Sequence, residues 1–498
     1  MKVKKLLSIS LAVALALLSC GPKSPRNSVS GPMEVKPITG SWVNLAWKDV
    51  RNKYTNPQDR DMTDPAMWRR KVREWHDMGL EYLIFLEVAN EGEAYYPSDV
   101  MPHIYPEGTE SPVDAIMNEA AAQGMKVFLS TGWARNQDED VRDPWVQGRQ
   151  AEIMEELAAL YGDSPAFYGW YLPVEDCITP VFPKTAVEAV NALVERSREL
   201  TPGKKTLISP YGMVYARYDL PEFAENIRSL KVDIIAYQDE VGCVREQFPL
   251  PRLRNNWKQL RKVHDGTSIQ MWANCETFTW EGNTNDRTSA LIPAAYSRLL
   301  AQQTAASEGG VERIVSFMFG GIIENPDSPF RLGTGDESTR LYRDYMAWRD
   351  GDKYWKMVEK SYRGLLEGSV KPLSASIGTM IDCILGEEDL DTSKWRVYEP
   401  GETRISIELP EHSDIHTVLV RAIDYGKWGI FPPEEIRIEN GEGETLATRC
   451  FDAPGDNRHD AWIDFIDIDL DKATEDRLII SFNTNHKVLL DEIIINPR

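Results

Sequence analysis

The stretch AFYGWYLPVED, residues 166–176, reads as a buried β-strand that ends in two acids. Its first seven residues, up to Leu172, are apolar, aromatic or glycine, and Pro173 then stops the pattern before Glu175 and Asp176. A short apolar run closed by a turn signal is typical of a strand that is buried on both faces of a parallel sheet. The two carboxylates therefore mark the point at which this strand reaches an edge of the sheet.

Seven other segments repeat this pattern. Each is a short apolar run followed by a longer stretch with helical spacing, which is the pattern of successive βα units. Eight such units predict an α/β fold, a TIM (β/α)8 barrel over residues 37–351. A doubly wound sheet would usually carry a glycine-rich phosphate turn after its first strand, and the sequence has none there. The other predicted strands are 38–47, 80–88, 125–133, 205–212, 232–242, 267–278 and 311–321.

Residues 365–498 have a different sequence pattern. Short alternating runs such as TRISIEL (403–409) and HTVLVRAID (416–424) replace the long helical stretches, and turn residues separate them. This pattern predicts an antiparallel β-sandwich domain. It resembles the jelly-roll modules attached to many secreted carbohydrate-active enzymes, and its role is either to bind sugar or to support the barrel.

The first 36 residues predict export and a tether. Residues 1–20 combine a basic start, an apolar run and a small residue before Cys20, which is the pattern of a signal peptide. Leu17-Leu18-Ser19-Cys20 resembles the lipobox of bacterial lipoproteins, which implies lipidation of Cys20; the alternative is a plain signal peptide. Residues 21–36 are rich in Gly, Pro and Ser and suit a flexible linker. We therefore expect a protein anchored by lipid to a bacterial membrane, in the periplasm or at the cell surface.

The charge of the chain argues against nucleic acid as a partner. The 498-residue chain has a formal net charge of −22, and nucleic-acid binding needs clustered Lys and Arg. Its cysteines form no CxxC or Cys/His spacing, so the sequence predicts no metal site and no cofactor.

Polar side chains gather at the ends of the predicted strands. Glu175 follows strand four and Glu276 ends strand seven. Strand ends meet on one face of a barrel, where active sites form, although a single acid at such a place can also cap a turn. The other polar candidates are Asn44 after strand one, Glu87 on strand two, Gln238 and Asp239 after strand six, and Asn274 on strand seven.

Aromatic side chains accompany these polar groups. Sugar rings stack on aromatic faces while acids and amides bind their hydroxyls, so the mixture favours a glycan cleft. The alternative is that many of the rings fill the barrel or pack against its helices. The aromatic candidates for substrate binding are Trp42, Trp133, Tyr171, Tyr237, Trp272 and Trp280.

Glycoside hydrolysis needs two carboxyl groups on opposite sides of a cleft. In the barrel glycosidases of clan A the acid/base glutamate follows strand four and the nucleophile ends strand seven. The order of Glu175 and Glu276 resembles this arrangement, which implies that Glu175 is the general acid and Glu276 the nucleophile or base. The chain departs from the clan in that Pro173-Val174 precede Glu175, where clan members usually have Asn before the glutamate.

Four motifs resemble a further family, the exported barrel proteins of Bacteroidetes that carry domain of unknown function 4434. The resemblance implies a barrel followed by a β-rich module and a proposed glycoside hydrolase activity. It also draws attention to YQDEVG, which makes Asp239 a rival for one catalytic role. The motifs are FLEVANEGEAYYPS (85–98), GWYLPVED (169–176), IIAYQDEVG (234–242) and MWANCETF (271–278).

Two alternatives to a glycosidase acting on an oligo- or polysaccharide stay open. A surface glycan-binding lipoprotein would need the same lining without catalysis, but it would have no need of two glutamates on nearly opposite strands. A hydrolase of esters or amides would have to work by carboxylates alone, because the sequence has no GxSxG motif.

Overall fold

The protein is described by a computed structural model. It describes residues 34–46, 61–130, 132–133, 135–136, 139–140, 142–244, 250–281, 288–333, 335–356, 358–359, 362, 370, 372–381, 385–386, 394–450 and 462–496. Cys20 and the predicted signal peptide lie outside these residues, as does the linker up to residue 33, so the lipid anchor stays a prediction. In the described part of the chain no helix is both long enough and apolar enough to cross a membrane.

Eight parallel strands close into a barrel, which confirms the predicted fold. Strands β1 and β8 complete the circle, with Ser41 paired to Ser316. The strands are β1 (Ile38–Val43), β2 (Tyr82–Phe85), β3 (Lys126–Ser130), β4 (Phe167–Tyr171), β5 (Lys205–Ile208), β6 (Ile234–Gln238), β7 (Gln270–Glu276) and β8 (Arg313–Phe317).

Helices connect the strands and cover the barrel. Several begin at a proline behind a capping side chain: Asp64 accepts from the amide of Ala66, and Ser111 from that of Asp114. The helices are α1 (Pro65–Asp77), α2 (Pro112–Gln123), α3 (Pro144–Tyr161), α4 (Lys184–Leu200), α5 (Pro221–Arg228), α6 (Val241–Val244), α7 (Leu250–His264), α8 (Tyr296–Gly309) and α9 (Asp336–Arg349).

Both faces of the barrel wall are buried. One apolar cluster fills the inside of the barrel and includes Tyr82, Phe128 and Trp272. A larger cluster lies between the strands and the helices. Because alternate side chains of a strand point to opposite faces, neighbouring residues of one strand belong to different clusters. This alternation decides which strand-end residues reach the site.

The C-terminal strands form an antiparallel sheet, as predicted. Its two longest strands, of 24 and 23 residues, pair with each other along most of their length. The strands are β9 (Ser374–Ala375), β10 (Arg396–Tyr398), β11 (Gly401–Asp424), β12 (Glu435–Asn440), β13 (Thr445–Cys450), β14 (Trp462–Thr484) and β15 (Val488–Ile495).

The long strands carry two half-sheets that share one core. The pairing of β11 with β14 is irregular between Glu408 and Ser413. Before this point β11 lies beside β9, and after it beside β15. Side chains from both halves, such as Ile407 and Val420, belong to one buried cluster. Irregular pairing bends strands, so two continuous strands can supply both layers of a sandwich.

The sheet packs on the barrel. Residues Val35–Arg498 form one compact unit. Leu419 and Ile494 from the sheet join the cluster that surrounds the barrel. The hydroxyl of Tyr354 donates to the carbonyl of Ile463 at 3.2 Å and accepts from its amide at 3.0 Å. The second domain is thus held to the barrel by apolar and polar contacts.

Candidate active site

The candidate site lies where the barrel strands end. On β7, Met271, Ala273 and Cys275 pack toward the helices. Alternation therefore places Asn274 and Glu276 on the inner side of the wall. Asn274 pairs with Gln238 of β6, and Glu276 with Phe317 of β8. The ends of three adjacent strands thus present polar and aromatic groups to the barrel mouth.

Glu276 is a buried acid cradled by the segment that follows β6. Its Oε2 accepts a hydrogen bond from the amide of Cys243 at 2.8 Å. A methyl group at Gly242 would lie 2.9 Å from the same oxygen, so glycine permits the close approach. Burial, reinforced by the charge of Asp239, raises the pKa of Glu276 to about 8.

Asp239 lies behind the end of β7 and makes structural contacts with both carboxylate oxygens. Its Oδ1 accepts from the amides of Glu276 at 3.1 Å and Val241 at 3.3 Å. Its Oδ2 accepts from Nε2 of Gln302 on α8 at 2.7 Å. Asp239 is fully buried. It follows Gln238, so alternation turns it away from the barrel interior, a placement that favours a positioning role over the rival catalytic role.

The surroundings of Asp239 and Glu276 decide where their shared negative charge resides. Burial raises the pKa of both groups. Among the described residues Asp239 accepts from three donors, the amides of Glu276 and Val241 and Nε2 of Gln302, whereas Glu276 accepts from the amide of Cys243. Arg298 lies nearby, and its charge favours the ionised forms of both Asp239 and Glu276. Since donors stabilise a carboxylate, the negative charge resides on Asp239 and the proton on Glu276.

Glu175 has a different setting, in the segment that follows β4. It is half-buried and follows β4 by four residues. Its Oε1 accepts from the hydroxyl of Tyr171 at 3.3 Å. Tyr171 is itself fully buried and meets Trp42 edge to face, with ring centroids 5.8 Å apart. Tyr171 therefore reaches Glu175 as a hydrogen-bond donor from within the barrel.

Glu87 is a third buried acid, after Asp239 and Glu276. Its Oε1 accepts from two consecutive amides after β1, those of Leu45 and Ala46, each at 2.6 Å. Its Oε2 is buried and has no hydrogen-bond partner among the described residues. Burial raises the pKa of Glu87 to about 7.

Three predicted amide side chains lie at the mouth. Nε2 of Gln238 donates to the carbonyl of Ser209 at 2.9 Å, and Nδ2 of Asn274 to its hydroxyl at 3.2 Å. Oδ1 of Asn274 is buried and has no partner in the part of the chain that the structure describes. Asn44 is buried directly after β1. Ser209 was not among the predicted residues, although its polar side chain after β5 follows the same strand-end pattern.

The aromatic candidates separate into two groups. Trp42, Trp133 and Tyr171 belong to the cluster inside the barrel and lie at or just beyond strand ends. Trp280 is half-buried on a short hairpin that follows β7. Tyr211, 41% exposed, lies after β5 and forms an isolated bridge with Cys177. These side chains surround the mouth.

Tyr237 and Trp272 are placed elsewhere, and their predicted binding roles do not fit their positions. The hydroxyl of Tyr237 meets Nε2 of His264 at 3.0 Å on the outer side of the wall. Trp272 lies early in β7, its Nε1 donates to Oε1 of Gln270 at 3.0 Å, and its ring packs on Tyr82. Tyr237 thus anchors a helix to the strand, and Trp272 fills the barrel below the mouth.

Two side chains of α8, Arg298 and Gln302, support the end of β7. Nη2 of Arg298 donates to the carbonyls of Glu276 at 3.0 Å and Phe278 at 2.6 Å. Gln302 donates to Glu276 O at 3.1 Å as well as to Asp239. These residues hold the end of β7 in place. The only sequence signal for them is a pair of polar residues four apart on a buried helix. Among the described residues no three His, Cys, Asp or Glu side chains are grouped as a metal site.

Solved structures of several glycoside hydrolases share part of this architecture. A candidate alpha-L-fucosidase from Bacteroides thetaiotaomicron is 18% identical over 66% of this chain and 99% of its own, with a TM-score of 0.49. A family 5 glycoside hydrolase from Bacteroides vulgatus is 10% identical over 91% and 89%, with a TM-score of 0.39. A GH5_18 variant from Streptomyces cattleya, solved with Manb1-4GlcNAc, is 15% identical over 58% and 76%, with a TM-score of 0.38.

The family profile gives the clearest relationship. No curated protein matches the chain. The profile of a domain of unknown function, DUF4434, matches residues 38–329, which include all eight barrel strands. The match covers more than half of the sequence, and the chain therefore belongs to the DUF4434 family.

Proposed function

We propose that the protein is a glycoside hydrolase that cleaves a glycan bound across the barrel mouth, with Glu175 and Glu276 as its carboxyl pair. The observation that carries the proposal is the contrast between these two acids, which arrive from β4 and β7. One is half-buried and the other is buried beside a negative charge. Two carboxyl groups in such different surroundings can divide the acid and base roles of glycoside hydrolysis.

Glu276 is the proposed proton donor. Burial and Asp239 keep its proton at neutral pH, so it can protonate the leaving oxygen of the glycosidic bond. Glu175, with the Tyr171 hydroxyl as donor, is the proposed carboxylate that attacks the anomeric carbon or activates water. This assignment reverses the roles implied by the strand order of clan A.

The lining supports a sugar as the substrate. Trp280 and Tyr211 offer partly exposed aromatic surface near the mouth, while Asn274 and Gln238 offer amide groups that suit hydroxyls. The buried and unpartnered Oδ1 of Asn274 would gain a partner from a sugar hydroxyl.

The test is turnover of a panel of 4-nitrophenyl glycosides and plant and host oligosaccharides by the mature protein. We expect at least one substrate to be hydrolysed, and Glu175→Gln and Glu276→Gln to lower its kcat/KM about 1,000-fold because each removes one of the two acids. Asp176→Asn is the matched control, because it removes a carboxylate next to Glu175 that pairs with Arg142 at 4.0 Å. The control should keep most of the activity.

A non-catalytic glycan-binding protein is the alternative. It predicts binding of an oligosaccharide in calorimetry, no turnover of any substrate by the wild type, and no effect of Glu276→Gln on affinity. Product release that survives both carboxamide variants would also end the assignment of Glu175 and Glu276.

We propose in addition that Cys20 carries a lipid that holds the enzyme at a membrane, on the basis of the lipobox-like LLSC at residues 17–20. In a bacterial host the full-length protein should fractionate with membranes, and Cys20→Ala should release it or block its processing. Mass spectrometry that finds an unmodified Cys20 on a mature protein would contradict this proposal.

A further inference from the structure

Glu240, the residue after Asp239, holds the loop that follows β5. Its Oε2 accepts two consecutive amides of that loop, those of Gly212 at 2.8 Å and Met213 at 2.6 Å. Hydrogen bonds from backbone amides to a carboxylate are among the stronger ones in proteins. The side chain of Glu240 therefore fixes the loop at the point where the two amides converge.

The backbone of Glu240 has a conformation that costs free energy. Its φ is 55°, in the left-handed region that residues with a Cβ atom rarely adopt. Its carbonyl accepts the amide of Val244 at 2.8 Å, the first hydrogen bond of α6, and a residue in that place normally has an extended backbone. Strain of this kind persists only where other contacts hold it, and it concentrates at functional sites.

The loop that Glu240 holds carries Tyr211 beside the segment of Glu175. The carbonyl of Tyr211 accepts the amide of Ile178 at 2.7 Å, and Tyr211 forms a bridge with Cys177, two residues after Glu175. Although its backbone is fixed in this way, Tyr211 is 41% exposed. An exposed ring on a fixed backbone at the mouth offers a surface on which a sugar can stack.

We propose that Glu240 is a positioning residue that holds the loop after β5 so that the ring of Tyr211 stacks on a sugar unit next to Glu175. The inference rests on the proposed function. It adds to the carboxyl pair a binding subsite whose geometry is set by a third acid.

Two substitutions separate the role of Glu240 as an acceptor from its charge. The carboxamide oxygen of Glu240→Gln can accept both amides, whereas Glu240→Ala removes the acceptor. At pH 6 Glu276 keeps its proton with or without the charge of Glu240, because burial and Asp239 are the main causes of its raised pKa of about 8. We expect Glu240→Ala to raise KM about tenfold at this pH with kcat within about threefold of wild type, and Glu240→Gln to restore KM to within about threefold.

A double variant tests the link between Glu240 and Tyr211. Tyr211→Ala alone should raise KM about tenfold, because a stacked ring is lost. Adding Glu240→Ala to Tyr211→Ala should then change KM less than about twofold, since the loop has no ring left to position. Independent effects, about 100-fold in the double variant, would overturn the inference.

Glu240→Gly is the matched control for stability. It removes the same acceptor as Glu240→Ala, but glycine adopts a φ of 55° without strain. Its Tm should therefore lie about 1 °C above that of Glu240→Ala, while its KM should be raised equally. A glycine variant with the KM of wild type would show that KM follows stability, and it would overturn the role of the carboxylate.

Hydrogen exchange gives a readout that needs no activity. In the peptide that contains Gly212 and Met213, amide exchange should be faster in Glu240→Ala than in the wild type or in Glu240→Gln, because the two amides have lost their acceptor. Equal exchange in the three proteins would overturn the positioning role.

Binding and turnover together separate this inference from the proposed function. If the wild type binds an oligosaccharide in calorimetry without hydrolysing it, and Glu240→Ala raises the Kd about tenfold, the proposed function fails and the inference stands. If the wild type hydrolyses a glycan and Glu240→Ala changes neither KM nor Kd, the function stands and the inference fails. A Glu240→Gln variant that folds but is inactive at pH 6 would also overturn the inference, because Glu240 would then be catalytic.

Discussion

Glu175 and Glu276 are the same residue type at two strand ends of one barrel, yet their surroundings differ. Glu175 is half-buried and has a side-chain donor, the hydroxyl of Tyr171. Glu276 is almost fully buried, has the Cys243 amide as its donor, and lies beside the charged Asp239.

The difference shows that the environment, and not the ordinal position of a strand, determines which acid keeps its proton. Strand order implies that the acid follows β4. Burial and the neighbouring charge favour the opposite assignment, because they act against ionisation of Glu276. The substitutions described next either remove one of the two acids or change its surroundings.

The largest expected effect comes from removing one acid at a time and varying the leaving group. Glu276→Ala should lower kcat/KM about 1,000-fold for a natural glycan but far less for a 2,4-dinitrophenyl glycoside, since that leaving group needs no proton. Glu175→Ala should be impaired on both substrates, and azide should restore turnover with a glycosyl azide of inverted anomeric configuration. The reverse pattern in the two variants would reinstate Glu175 as the acid.

The second prediction concerns Gly242, which lies against the carboxyl group of Glu276. A methyl group at Gly242 would lie 2.4 Å from the carbonyl of Phe278 and 2.9 Å from Oε2 of Glu276, so Gly242→Ala must displace the acid. We expect kcat/KM to fall about 100-fold, as a shift of about 1 Å does in other enzymes. Gly148→Ala on α3 is the matched control, because nothing lies within 4 Å of its new methyl group. Equal activity of the two variants would contradict the proposed placement of Glu276.

Asp239 gives a prediction about pH. Its negative charge raises the pKa of Glu276, so Asp239→Asn should lower it and move the alkaline midpoint of kcat/KM down by about one unit. Activity should then be about fivefold below wild type at pH 8 and similar to it at pH 6. A variant that folds but is inactive at every pH would make Asp239 catalytic, as the YQDEVG motif first implied.

Tyr171 gives the smallest expected effect. Tyr171→Phe removes the donor to Glu175 but keeps the ring against Trp42, so kcat/KM should fall about tenfold, the value of one hydrogen bond to a charged group. Tyr161→Phe is the control, because its hydroxyl donates to Asp114 at 2.9 Å away from the mouth. A similar loss in both variants would show a general effect on stability.

Much of the fold could be predicted because its signals are local. Short apolar runs followed by stretches with helical spacing located the eight barrel strands, and the change to alternating runs located the C-terminal sheet. The strand-end rule also brought Asn44, Gln238, Asn274 and Glu276 to the same face.

The directions of side chains could not be predicted in the same way. A strand that is buried on both faces shows no alternation of polar and apolar residues, so its sequence does not reveal which positions point inward. Tyr237 and Asp239 therefore read as site residues, although their side chains leave the barrel interior for His264 and Gln302.

The sequence by itself determined the barrel, the second sheet and the strand ends that carry acids, because short-range periodicity encodes each of them. Only the tertiary structure decided the surroundings of each acid. Gln302 reaches Asp239 across 63 residues of sequence, and Leu45 and Ala46 reach Glu87 across about 40. Burial and partner groups are properties of such distant contacts, and they set the proton affinity of a carboxyl group.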